Sequence, residues 1–450
     1  MAAAQSARAA GRALRDRHDL RRARRAGRTA VGVRAAVVPF EIWASPEPTV
    51  ARIDASTYRD QLAETGHEAR EGDIARLASL GVAATRYPVL WEKTAPLDPA
   101  RPALEWARRR LEALRAAGVE PVVTLLHHGS GPPATSLVDP DFPEKLAAYA
   151  GAVAAAFPWV RRWTPINEPL TTARFSTLYG HWYPNLVDDD AAFGQAIVNE
   201  ALGMLLAMEA IRAHAPAAEF VITEDLQSFT AADPRTEAFV AHKRERMYLS
   251  VELAMGRVVP GHALYGYLVD TCRVSAERLA RVAAHASAPD VVGWNYYPNS
   301  ERVLSVDAEG RTLNRARVEV APGTLSPRPL LRAAAQRLAL PFGISEVHVN
   351  ADERARVRWL LQRYADAAAL AEEGLPVRML GAWAAFGMVD WDSLLRRREG
   401  YGEDGIFTFA GPAGEPRETA VAHAVRALAR GEDVSLPEEP GWWETQGSPR

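Results

Sequence analysis

Trp163-Thr164-Pro165-Ile166-Asn167-Glu168-Pro169 is the stretch on which the fold turns, because a second acid far downstream stands in the same setting. That acid is Glu346, in Pro341-Phe342-Gly343-Ile344-Ser345-Glu346-Val347. Each glutamate closes a short apolar run of the kind that makes a buried strand. An acid there packs badly, yet the C-terminal end of a strand is where an α/β barrel carries its chemistry.

Working outward from these two runs, apolar segments alternate with helical ones. Strands are expected at 33–41, 82–91, 121–127, 160–168, 219–224, 290–296, 343–346 and 379–385. Between the first two, Ile74, Leu77 and Leu80 fall on one helical face with Gly81 as the stop. The pattern predicts a single-domain (β/α)8 TIM barrel over residues 33–432, followed by a tail at 433–450. A doubly wound sheet would carry a Gly-rich phosphate turn after an early strand, and neither G-x-G-x-x-G nor G-x-x-x-x-G-K-[ST] occurs. Residues 301–321 alternate around Asp307-Ala308-Glu309-Gly310 and read as a β-hairpin inserted after strand six.

The chain has 450 residues and a formal net charge of −3, so nothing global points to nucleic acid. No apolar stretch reads as a membrane span. Cys272, the single cysteine, excludes an intrachain disulfide and reads as a buried filler. Residues 1–32 are Arg-rich and read as an extension, disordered or helical, without catalytic role. No apolar core follows those arginines as a secretory signal requires, so the cytoplasm is the expected location. The oligomeric state is left open.

Two carboxyls on different strands of one barrel suit glycosidic bond cleavage. One protonates the departing oxygen; in a retaining enzyme the other attacks the anomeric carbon from about 5–5.5 Å away. His127 and His128 could suggest a metal, but neighbours on a strand point to opposite faces, so no metal site and no cofactor is expected.

These segments, in this order, resemble glycoside hydrolase family 1 over about residues 70–410. The resemblance implies Glu168 as general acid/base and Glu346 as nucleophile, acting on a carbohydrate or glycoside. It implies Asn167 at the sugar 2-hydroxyl, His128 at the 3-hydroxyl, and Arg86 holding the nucleophile ionised. Gly293-Trp294-Asn295-Tyr296-Tyr297 resembles the strand-six motif, with Asn295 in the site and Tyr297 against the nucleophile. Trp383 matches the floor beneath the sugar, and Asp390-Trp391 the pair that grips the 4- and 6-hydroxyls. The family's early glutamine has no clear counterpart; Phe40-Glu41-Ile42-Trp43 stands there, so Glu41 or Trp43 is expected in its role. Gly129-Ser130 replaces the usual Trp-Asp, and Val347-His348 follows Glu346 in place of Asn-Gly, which marks a divergent member. A transglycosidase on the same site and an inactive sugar-binding barrel are the alternatives. His67, His181, His348 and Glu224 are expected as rim groups without assigned roles.

Overall fold

The computed structural model describes residues 32–33 and 40–445. Residues 1–31 of the Arg-rich extension therefore lie outside the described residues. The eight barrel strands are β1 (Glu41–Ala44), β2 (Ala84–Pro88), β3 (Glu120–Thr124), β4 (Arg162–Thr164), β5 (Glu219–Asp225), β6 (Val291–Tyr296), β7 (Phe342–Val347) and β8 (Val377–Ala382). They close in sequence order, β8 pairing in parallel with β1 through Met379 and Glu41. The expected (β/α)8 barrel is what forms.

Alternate residues of each strand point inward. Trp43, Ala84, Val122, Val221, Val291 and Met379 fill the barrel as one apolar cluster. Their outward-facing neighbours pack against the surrounding helices in the main core. Helix Asp190–His214, at 25 residues, is the longest among the described residues and lies against helix Phe142–Ala156. By length and composition it would cross a bilayer, against the sequence reading; 78% of its apolar window is buried inside the fold, as a core helix requires. Cys272 is buried, its Cβ 2.5 Å from where Gly194 would carry one.

The first strand sits later than expected. It spans Glu41–Ala44 rather than 33–41, so Glu41 opens the strand instead of closing it. The tail is also not free up to residue 445. Val434–Ser435 pairs with Gly32–Val33, and Trp443 is buried against Trp359 with ring centroids 5.0 Å apart. The inserted hairpin is present as Glu301–Val306 and Thr312–Ala316, with Leu304 opposite Asn314. A third strand, Ser228–Ala231 from the loop after β5, adds to it in parallel.

Strand β7 is irregular where it matters. Its register shifts against both neighbours around Ser345 and Glu346, placing Glu346 beside Asn295 of β6. Such a bulge re-aims a side chain at a barrel rim. Gly381 makes room for it: a Cβ there would lie 2.2 Å from the Ser345 carbonyl oxygen.

Candidate active site

The C-terminal ends of the strands open into a cavity of about 690 Å³. Glu168 and Glu346 both line it, with His128, Tyr297 and Trp391. Glu168 follows β4 in the left-handed backbone region (φ 47°), and His128 follows β3 there too (φ 55°). Neither is glycine, so each position is strained, as functional residues at a strand end often are. The turn at His128 also breaks strand alternation: the His127 and His128 rings are 4.8 Å apart, not on opposite faces. Among the described residues, no group of three or more His, Cys, Asp or Glu is placed to hold a metal ion.

Glu168 sits where a helix cap would, but its side chain does not cap helix Pro169–Thr177. Glu224 does that work, accepting from the Leu170 amide at 3.1 Å and the Ser250 hydroxyl at 2.7 Å. The Glu168 carboxyl instead accepts from the Asn295 amide at 2.6 Å and faces His128 Nε2 at 4.0 Å. Asn295 in turn accepts from the Ser345 hydroxyl at 2.5 Å. Glu346 is held by the Arg86 guanidinium on one oxygen and the Tyr297 hydroxyl on the other. Strand β6 thus reaches both acids, through two residues in the same Asn-Tyr-Tyr run.

Burial dominates the electrostatics. It pushes Glu168 above the ordinary carboxylate value, against the pull of Asn295, Thr171, Arg174 and Arg86. Glu346 is raised as well: burial and Glu168 outweigh Arg86 and Tyr297. Arg86 pulls Glu346 down as expected, but burial outweighs it, so the nucleophile does not end below the ordinary value. Burial also brings His128 down to about 4, so its ring is neutral.

Asn167 is fully buried. Its side-chain oxygen accepts from Arg86 at 2.7 Å and Thr223 at 2.6 Å, and its amide meets His127 Nε2 at 3.1 Å. It ties β2, β3, β4 and β5 together beneath the acids. Trp383 lies under Arg86, the guanidinium carbon 4.6 Å from the ring centroid, and stacks on His127 at 5.6 Å. Trp391 lines the cavity edge-on to His128, 5.6 Å away.

Asn167 and Trp383 are not among the residues that line the cavity, and Glu41 and Asp390, the other two expected sugar contacts off its lining, are held elsewhere. Glu41 lies at the opposite end of the barrel, where it chelates Arg162 at 2.6 and 2.9 Å and accepts from Trp43 Nε1 at 2.7 Å. The reason is the shifted first strand: its N-terminal end points away from the mouth. Asp390 is buried and spent on structure, accepting from Arg59 at 2.8 Å and the Tyr401 amide at 2.8 Å. The lone acid has its own loop to hold and does not line the cavity. His67 is no rim group either; it is enclosed between Asp73 and Tyr87 at 2.8 and 2.9 Å.

Glu47 and Glu403 occupy the mouth instead, and the sequence reading missed both. Glu47 follows β1, accepts from Trp383 Nε1 at 3.0 Å and from Thr49, and lines the cavity. Burial and the nearby Glu346 push it up to about 7. Glu403 faces His348 Nε2 at 3.3 Å. A correctly placed first strand would have pointed to Glu47, the first acid beyond its C-terminal end. The departure at Gly129 also has a physical basis: a Cβ there would fall 1.9 Å from the Glu92 carboxyl, which occupies the space a larger side chain would need.

The model of glycosyl hydrolase family 1 matches residues 47–319 of this chain. Among solved structures, the β-glucosidase from Thermotoga maritima in complex with cyclophellitol superposes with a TM-score of 0.71 at 17% identity, covering 88% of this chain and 98% of that one. The same enzyme in complex with deoxynojirimycin gives 0.71 at 17% identity, over 87% and 98%. The family 1 β-glucosidase structure from that organism gives 0.69 at 16% identity, over 87% and 97%. No curated protein matches the chain at the level of sequence. By its matched family model, and in keeping with its closed eight-stranded barrel, the chain belongs to glycosyl hydrolase family 1, a family of glycoside hydrolases.

Proposed function

We propose that the protein is a retaining β-glycosidase in which Glu346 attacks the anomeric carbon and Glu168 acts first as acid, then as base. The observation that carries this reading is the pairing of two buried carboxyls on one cavity, contacted by Asn295 of β6 and by Tyr297 just after it, with different partners. Glu346 has a guanidinium and a hydroxyl in direct contact, which favour its charged form; Glu168 accepts from an amide, and Arg174 and Arg86 act on it only from farther off. The first proton lost from the coupled pair therefore leaves Glu346, and the second is held on Glu168 by the charge so formed. That ordering supplies an ionised nucleophile beside a protonated acid. When Glu346 becomes an ester its charge is gone, Glu168 releases its proton more readily, and it can activate water.

The aromatic rings of Trp391 and Trp182, set around His128, suit the apolar faces of a sugar ring. Incubation with a panel of 2-deoxy-2-fluoro β-glycosides, followed by peptide mapping, tests the assignment. Covalent label on Glu346 is expected. Label on another residue, or turnover without any label across the panel, overturns it. Sugar binding with neither turnover nor label would make the barrel an inactive binding protein. Transfer to an added alcohol in preference to water would make it a transglycosidase.

A further inference from the structure

The leaving-group oxygen must lie against the acid, so the aglycone leaves the reaction centre on the Glu168 side. Beyond Glu168 that wall is built from the loops after β4, β5 and β6, and it is rich in cations. Arg174, on helix Pro169–Thr177, and Lys243, on helix Glu237–Arg246, both line the cavity and are 4% and 5% exposed. Arg302, on the inserted hairpin, lines it too and is held by Asn314 at 2.9 Å. Arg246, 5% exposed, stands behind them.

Little carboxylate charge answers Arg174 and Lys243, whereas Arg302 also feels Glu319 and Asp225. Asp225 is the one carboxylate within ion-pair distance of Arg174 among the described residues, at 3.7 Å. Burial and Glu168 drive Asp225 well above the ordinary carboxylate value, toward its neutral form. Lys243 has no carboxylate within ion-pair distance among the described residues. It lies over the Phe229 and Phe239 rings, 5.4 and 4.4 Å from their centroids, and shares the Tyr179 hydroxyl with Arg246. The neighbouring groups respond to the imbalance. Burial would raise the Tyr179 hydroxyl, but Arg174, Lys243 and Arg246 bring it down to about 8. Burial first, then the two arginines, bring Lys243 to about 8. Buried cations without counter-ions are costly unless something binds there to neutralise them. Glu47, Asp392 and Glu403, which also line the cavity, come from the segments after β1 and β8.

We propose that the wall formed by Arg174, Lys243 and Arg302 is an aglycone subsite for an anionic group, a carboxylate or phosphate carried by the leaving group beyond the scissile oxygen. The assignment rests on the glycosidase reading for its direction, since that reading fixes which side the leaving group occupies. Arg174 already donates to the Leu170 carbonyl oxygen, Thr171 and Gln227, and Arg302 to Asn314, which fixes both guanidinium groups and leaves their remaining N–H groups for an anion; Lys243 adds a point charge. Phe229 and Tyr179 give the same wall apolar surface for the body of the aglycone.

The test compares 4-carboxyphenyl with 4-carbamoylphenyl β-thioglycosides, which cannot be hydrolysed readily, across several glycones, by calorimetry on the full chain. The matched oxygen glycosides, with a 4-phosphonooxyphenyl member added, give the corresponding kcat/KM ratios. The anionic member is expected to be favoured by at least about tenfold, less so at high salt. Lys243→Met should cut that ratio, and Lys243→Glu should invert it in favour of an ammonium-bearing aglycone. The phosphate and carboxylate arms separate which anion fits better. A ratio near one with good turnover overturns the subsite and leaves the glycosidase reading standing. Selective binding of the anionic thioglycoside without turnover of any glycoside does the opposite. Binding of neither thioglycoside, or a ratio unmoved by Lys243→Glu, also overturns the subsite.

Discussion

The barrel carries an arginine–glutamate pair at each end, and the two pairs are surrounded differently. At the bottom, Arg162 grips Glu41 with two nitrogens and reaches Glu219 at 3.2 Å. Burial works to raise Glu41, but Arg162, Trp43 and Arg378 hold it below the ordinary carboxylate value. At the mouth, Arg86 meets Glu346 while Glu168 and Glu47 stand nearby, and all three carboxyls are raised. The residue types are the same; the local charge balance is not. Where cations match anions the pair is a fastening. Around Arg86, where three carboxyls share one close cation, one proton is left to be passed on, which general acid–base chemistry needs.

The strongest way to break this comparison is at the mouth. Glu346→Gln keeps the shape and removes the nucleophile, so kcat/KM should fall by on the order of 10⁴-fold or more, the scale for one member of a concerted unit. Glu346→Gly with added azide should recover part of the rate, since a small anion can enter the space vacated. Glu168→Gln should cost about 10²–10⁴-fold with poor leaving groups and much less with good ones. Equal losses with both kinds would show that Glu168 is not the acid.

Next in size is the pH dependence. The kcat/KM profile should be bell-shaped, rising as Glu346 ionises and falling as Glu168 does. Burial raises both, so the acidic limb should lie above the unperturbed value of 4.5. Arg86→Met removes the cation that favours ionised Glu346, so that limb should move to still higher pH as the rate drops. A rate loss with an unmoved acidic limb would reduce Arg86 to a structural part.

Much of this was legible in the chain, for physical reasons that differ from residue to residue. The strand–helix alternation and the two isolated acids come from local pattern, and both survive in the structure. Asn295 and Tyr297 were placed by their likeness to the family's strand-six motif, and they lie against Glu168 and Glu346. Glu41 failed because the first strand starts at Glu41 instead of ending there, and a strand reversed in that sense trades the mouth for the bottom. Asp390 failed because spacing does not show that Arg59, from 331 positions earlier, takes its carboxylate. Glu47 was hidden by the misplaced first strand, and Glu403 and the cationic wall because each depends on loops from different strands meeting. The pairing of His127 with His128 was hidden by a single left-handed residue.

Stability should respond to pH with opposite sign at the two ends. Glu47 is raised from 4.5 to about 7, so its contribution is fully present below 4.5 and is lost as pH rises through about 7. The drop in Tm between pH 5 and pH 8 should therefore be smaller in Glu47→Gln than in the wild type. An unchanged drop would mean that Glu47 is already ionised in the folded protein.

Glu41 gives the smallest effect and the cleanest contrast. Its folded-state value is lowered, so its contribution is present above 4.5 and fades as pH falls below it. The side chain is 36% exposed, so solvent screens much of the attraction to Arg162, and Glu41→Gln should cost less than about 1 kcal/mol at pH 7. That loss should shrink toward zero in acid melts, where the wild-type carboxyl is protonated too. Meanwhile kcat/KM should stay within about twofold of wild type, because substitutions away from special sites seldom act at a distance. A tenfold change, about 1.4 kcal/mol in the barrier, would show that the bottom pair is coupled to the mouth through the intervening apolar layer of Trp43, Ala84, Val122 and Val221. The two ends would then be one charged system, not a fastening and a reactive site built from the same residues.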